Sequence, residues 1–369
     1  MTREEALLCW LYACPGMTGL RAHKLIHTYE TLDGIWRELD ERAVKILGEK
    51  VYATLRQRRD IRLVDQLVDD VARWGMHIVR RGDPCYPPLL GHIHDAPEIL
   101  YVRGQRALDD AQLIAVVGAR RCTRYGRTQA ERIGCELASL GVGVVSGMAR
   151  GIDTAAHTGA LRAHGRTVAV LGCGLDVAHP PENAPLMERI IDEGGSVVSE
   201  YAPGTPPRAS NFPQRNRILS GMCAGTLLVE AQRSSGAMIT VNLALEQGRE
   251  VYALPGNVDA PLSQMPLELL SEGAHLARGA QDIVSSLNWV TAEAQLDFER
   301  EAVQAGEPIE LSEEEAAVVR CVENEALSFD EIKEITQFPA DKLNSLLTIL
   351  EIREIMKQLP GKMYALVRS

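Results

Sequence analysis

The chain has 369 residues, 46% hydrophobic and 24% charged, and a net charge of -11. That length implies two or three domains, and the composition is that of a soluble globular protein. No apolar run is long enough to cross a bilayer and no charged-then-apolar leader opens the chain, so a cytoplasmic location is expected. The acidic balance argues against wholesale nucleic-acid affinity. It leaves room for a local basic site, because the field in a cleft depends on where charge sits. The eight cysteines include no C-x-x-C pair, so reduced, mostly buried thiols are expected, and no metal.

Residues 1–82 read as a helical domain. A helix over Glu4–Leu11 is broken by PGMTG and resumes over Leu20–Tyr29, with Ala22, Leu25 and Ile26 on one face. The spacing around Gly16 and Gly19 resembles a helix-hairpin-helix, a SAM-like unit in which a glycine turn lets helix amides approach a phosphate backbone. A plain αα-hairpin turn has the same spacing. Arg42–Leu47 and Val51–Trp74 form a second helical pair. Its RQRRDIR run is diluted by Asp60, Asp65, Asp69 and Asp70 and reads as a solvated face.

An extended Rossmann-like domain is expected over 83–288. From Leu113 to Gly256, short runs such as LIAVV, TVAVL and TLLV stop at or near glycine and alternate with helical segments such as Thr128–Leu140 and Thr154–Ala163. Unalternating apolar runs suit strands buried on both faces, so the fold class is α/β, a doubly wound sheet with ligands beyond the strand carboxyl ends. The first turn, Gly118-Ala119-Arg120, is neither G-x-G-x-x-G nor a P-loop, and GCGLDV at Gly172–Val177 lacks a third fingerprint glycine. No nicotinamide or ATP cofactor is expected. Arginines follow instead: Arg120, then Arg121, Arg124 and Arg127.

The second turn sets Gly147 and Gly151 around Arg150, with Asp153 as a helix cap and His157 as a packed residue. A Pro/Gly-rich loop then leads through Asn211 and Phe212 to Arg215, Asn216 and Arg217. Ser235 and Gly236 open a helix whose first amides suit an anion. Between Leu113 and Pro255 there is Arg but no Lys, which favours planar, bidentate phosphate contact.

Residues 289–308 are acidic and aperiodic and read as a linker. In 309–369, a helix over Ser312–Val322 opens with a Ser312/Glu315 capping box, and helices follow over Phe329–Thr336 and Ala340–Leu350. A hairpin, Ile352–Lys357 with Met363–Val367 across LPGK, completes a winged-helix outline. Its third helix carries Asp341 and Lys342 and little other charge, which suits a protein contact or packing role better than DNA binding.

In order, GARRCTRYG, VVSGMARGID, VLGCGLDV, NFPQRNRILSG, LLVEA, SGAMIT and ALEQGREVYALPG resemble the DNA processing protein A family (DprA, also called Smf) over Pro84–Val284. The resemblance implies a single-stranded DNA-binding protein of natural transformation that is not an enzyme. Such proteins act as homodimers, protect incoming strands and load RecA recombinase. Carried over by motif, the DNA pocket uses Gly118, Ala119 and Arg120, then Arg150 and Gly151, then Asn211, Phe212, Arg215, Asn216 and Arg217, with Ser235 and Gly236 beside them. The chain departs from the family pattern at Gln264–Leu267, at Ala119 where serine is usual, and at Val177 where some relatives carry a basic residue. A rival reading is a nucleoside-monophosphate phosphoribohydrolase, with Glu230 as the catalytic candidate and Glu200 second. The double glycine of that signature is missing before Gly225-Thr226. A third reading is a pure interaction scaffold with structural arginines.

Overall fold

The computed structural model describes residues 1–106, 108, 112–289, 312–322, 327–352, 355–359 and 363–366. They cluster into two compact units, 1–294 and 295–369. The larger unit is built on a nine-stranded sheet: β1 (His77–Arg80), β2 (Ile99–Gly104), β3 (Leu113–Val117), β4 (Gly143–Ser146), β5 (Thr167–Val170), β6 (Ser196–Ser199), β7 (Gly225–Leu228), β8 (Glu250–Ala253) and β9 (His275–Leu276). The spatial order is β1-β2-β6-β5-β4-β3-β7-β8-β9. The seven strands from β6 to β9 run parallel, while β2 pairs antiparallel with β6 and β1 antiparallel with β2.

The pleat explains the unalternating apolar runs. In β3, Leu113, Ala115 and Val117 point into one core, and Ile114 and Val116 into the core on the opposite face. Each large apolar side chain removed from water on either face contributes on the order of 1.5–3 kcal/mol. The buried polar residues Ser146 and Thr167 are tolerated because their hydroxyls donate to the Val116 and Val144 carbonyls at 2.7 and 2.8 Å. Helices Arg124–Ser139 and Ile152–Arg162 cover one face, and Asn211–Gly221 and Gly236–Glu246 the other.

The N-terminal segment differs from the expectation in three ways. β1 lies inside the segment read as helical, so the sheet already begins at His77 rather than after residue 82. The helices are also continuous with the sheet: Trp10, Leu11 and Leu25 share one core with Ile99, Tyr101 and Leu171. Finally, Val51–Trp74 is two helices, Glu49–Gln57 and Ile61–Arg73, because the Asp60 side chain caps the second by accepting from Arg62 N at 3.0 Å.

The glycine hairpin takes the plain-turn form. A side chain at Gly19 would collide with the Ala96 carbonyl, and the Leu20 amide donates to the Asp95 carboxylate. That helix N-terminus therefore faces the chain's own interior.

In the smaller unit, the helix Glu313–Cys321 carries the expected reciprocal capping box between Ser312 and Glu315. Helices Phe329–Thr336 and Ala340–Ile352 follow. β11 (Met356–Leu359) and β12 (Met363–Leu366) form the hairpin, and a short β10 (Leu327–Ser328), not anticipated, pairs with β12. Residues 290–308 of the expected linker and 360–362 of the hairpin turn lie outside the described residues. No helix among those described is long and apolar enough to cross a membrane.

Candidate nucleic-acid cleft

Strand order reverses between β3 and β7, and a crevice is expected beyond the carboxyl ends at such a switch point. A cleft of about 970 Å³ opens there. Four helices begin at its walls: Arg124–Ser139, Ile152–Arg162, Asn211–Gly221 and Gly236–Glu246. Each N-terminus carries roughly half a positive charge on unsatisfied amides, so their convergence favours an anion.

The local chemistry fixes these ends. Thr123 caps its helix by accepting from Gly126 N at 3.1 Å, and Ser235 caps another by accepting from Ala237 N at 3.3 Å. Gly151 has φ +80°, and a side chain there would strike the carbonyls of Ala119 and Arg120. The first and second turns are thus pressed together, which only glycine permits at this conformation.

The expected residues divide into three groups. Gly118, Ala119, Arg120, Phe212, Arg215, Asn216, Ser235 and Gly236 line the cleft, and Arg121 joins them. Arg120 and Arg121 are exposed and have no carboxylate partner among the described residues. Phe212 is half-buried, with the Arg120 guanidinium 5.6 Å from its ring centre and His179 at 5.4 Å. Ala119 does not offer its amide, which donates to the Glu230 carbonyl at 2.7 Å.

Arg215 is a floor rather than a free cation. Only 5% exposed, it donates to the carbonyls of Gly147 and Val170, and its Nε donates to Asn216 Oδ1 at 3.0 Å. Burial pulls its pKa below the ordinary value, with Asp153 opposing. Asn211 Nδ2 donates to the Gly172 carbonyl at 3.0 Å, holding the loop after β5. Arg150 and Gly151 sit around a corner: Arg150 lines a 120 Å³ side cavity with Arg120, His179 and Phe212, and pairs with Glu182.

Arg217 is placed apart from the cleft. Two residues along the same helix, it turns inward, pairs with Glu200 and lies 3.3 Å from Asp95. Burial works against its charge, and the two carboxylates outweigh that and raise its pKa. Glycine, phenylalanine and proline punctuation on both sides suggests a backbone held at a site, but the helical period sends Arg215 and Arg217 to different sides.

Among the described residues, one acidic side chain lines the cleft, Asp153. It accepts from Gly147 N at 3.1 Å and Ala149 N at 3.2 Å, so it secures the second turn rather than capping with its own backbone; the N-cap is Gly151. Burial pushes its pKa up to about 6, with Arg215 opposing. His157 is fully buried, with Nδ1 2.7 Å from Thr167 Oγ1, and burial lowers its pKa to about 3; it is a packed neutral residue. The rival's carboxylates are occupied elsewhere. Glu230 receives both the amide and the hydroxyl of Thr123, at 2.8 and 2.5 Å, and Glu200 is held by Arg217. Neither lines the cleft.

Of the departures, Gln264–Leu267 opens a helix whose Met265 is core, and none of the four lines the cleft. Sequence reasoning missed His179 beside Phe212; the HPPEN stretch was the available signal.

The family model described as DNA recombination-mediator protein A matches residues 77–288, and that of the DprA winged helix domain matches 302–362. The chain belongs to the DNA recombination-mediator protein A family. It is 45% identical to Protein Smf of Escherichia coli (strain K12) over 58% of this chain and 57% of that one. It is 42% identical to DNA processing protein DprA of Streptococcus pneumoniae over 56% of this chain and 73% of that one. These matches therefore span a little over half to about three quarters of the relatives' lengths. The solved structure of the S. pneumoniae DprA superposes with a TM-score of 0.67 at 33% identity, covering 77% of this chain and 98% of that one. A Helicobacter pylori DprA, studied for its single-stranded DNA binding mode, superposes with a TM-score of 0.52 at 27% identity, covering 58% and 97%.

Proposed function

We propose that the cleft binds single-stranded DNA, and that the chain processes incoming DNA for recombination rather than catalysing a reaction. The observation that carries this is the pairing of uncompensated guanidiniums, Arg120 and Arg121, with converging helix N-termini at the sheet's switch point. The H. pylori relative's reported binding mode supports the choice of ligand. A crevice floored by Arg215 and flanked by the Phe212 ring admits a flexible strand with splayed bases more readily than a stiff duplex. On this reading the chain is cytoplasmic, acts as a homodimer that places two clefts on one strand, and hands the strand to RecA during natural transformation.

Labelled oligo-dT tests it. Binding should weaken steeply with salt, and Arg120→Ala should lower the slope of log affinity against log salt by about 0.7, the value for one phosphate contact on a single strand. Salt-independent binding, or an unchanged slope in Arg120→Ala, sinks the reading. Sedimentation and RecA co-precipitation test the assembly claims separately.

A further inference from the structure

Several exposed arginines of this acidic chain are paired: Arg42, Arg132, Arg189 and Arg278 each meet a carboxylate. The row Arg120, Arg121, Arg124 and Arg127 is exposed and without a carboxylate partner among the described residues, and it starts at the cleft, which Arg120 and Arg121 line. Arg121, Arg124 and Arg127 recur every three residues, so the last two share one face of the helix Arg124–Ser139, about 4.5 Å apart along its axis.

The row has a destination. A groove of about 380 Å³ between the helices Arg124–Ser139 and Ile152–Arg162 is lined by Arg127, Arg150, Thr154 and Asn183. It is contiguous with the cleft through shared walls: Arg120 borders both the cleft and the side cavity, and Arg150 borders both the side cavity and the groove. Its acidic wall, Glu131, lies 3.4 Å from Arg162, and the exposed Glu182 pairs with Arg150.

We propose that a strand held in the cleft continues past Arg120 and Arg150 into this groove, where Arg127 and Arg150 form a second phosphate subsite that Glu182 counter-charges when it is empty. This rests on the cleft reading. It makes affinity depend on strand length, because a short oligonucleotide fills the cleft alone.

The test compares oligo-dT of about four and about sixteen nucleotides, the span of single-strand site sizes, on the full chain. Arg127→Ala should leave the short strand's affinity unchanged and reduce the salt slope for the long one by about 0.7. At 0.1 M salt that is a loss of about fivefold. Glu182→Gln, which removes the competing charge, should tighten the long strand only. Equal effects on both lengths, or two variants indistinguishable from wild type on the long strand, overturn the groove while leaving the cleft standing. If wild type binds neither length, the cleft reading fails, and this proposal with it.

Discussion

Two arginine-bearing regions looked alike in sequence and do opposite work. The turn after β3 carries Arg120 and Arg121 into open solvent with no carboxylate near enough to pair. The helix Asn211–Gly221 carries Arg215 and Arg217 into the interior, one gripping backbone carbonyls and the other bound between Glu200 and Asp95. The difference teaches that a guanidinium in a ligand-like motif can equally be part of the scaffold. What decides is whether the protein has already supplied its counter-charge and acceptors.

The comparison breaks most severely at Arg217. Replacing it with Ala leaves Glu200 and Asp95 without their shared cation, and stability should fall by about 3–5 kcal/mol, read as a lower denaturation midpoint. If Arg217→Ala kept its stability but lost DNA affinity, the assignment of the two regions would be reversed. Next in size, Phe212→Ala should cost about 1–3 kcal/mol of oligonucleotide affinity with little change in stability, if a base stacks on the ring beside Arg120 and His179.

Thr123→Ala should cost about 0.5–2 kcal/mol of stability, since it removes a helix cap and one donor to Glu230. The same change should move affinity little.

The smallest effect is on pH. Asp153 has its pKa raised to about 6 by burial, so it holds its proton more tightly folded than unfolded. Its contribution to stability is present at low pH and is lost as pH rises through about 6. Its charge also opposes phosphate, so affinity should rise a few-fold as pH falls from about 7.5 through 6, and Asp153→Asn should flatten that rise. His179 is held below its ordinary value by burial and by Arg120 and Arg150.

The parallel sheet was legible because β3 to β8 are buried on both faces and so read as bare apolar runs. β1 and β9 were not. They are four and two residues long with exposed positions, and their strand character comes from the neighbour they pair with. Within the cleft, Arg120 and the Ser235 cap follow from turn chemistry. The burial of Arg217 does not, because its partners Glu200 and Asp95 lie 17 and 122 residues away in sequence (217 − 200 and 217 − 95) and only the fold brings them together.

Asp95 touches two things at once, the Leu20 amide at the head of an N-terminal helix and the guanidinium of Arg217. The first seventy residues are thereby wired to the same rod that presents Phe212 to the cleft. They cannot be treated as a detachable cassette: a chimera that exchanges them between relatives must bring along a matching acid at the 95 loop, or it will loosen the helix from behind.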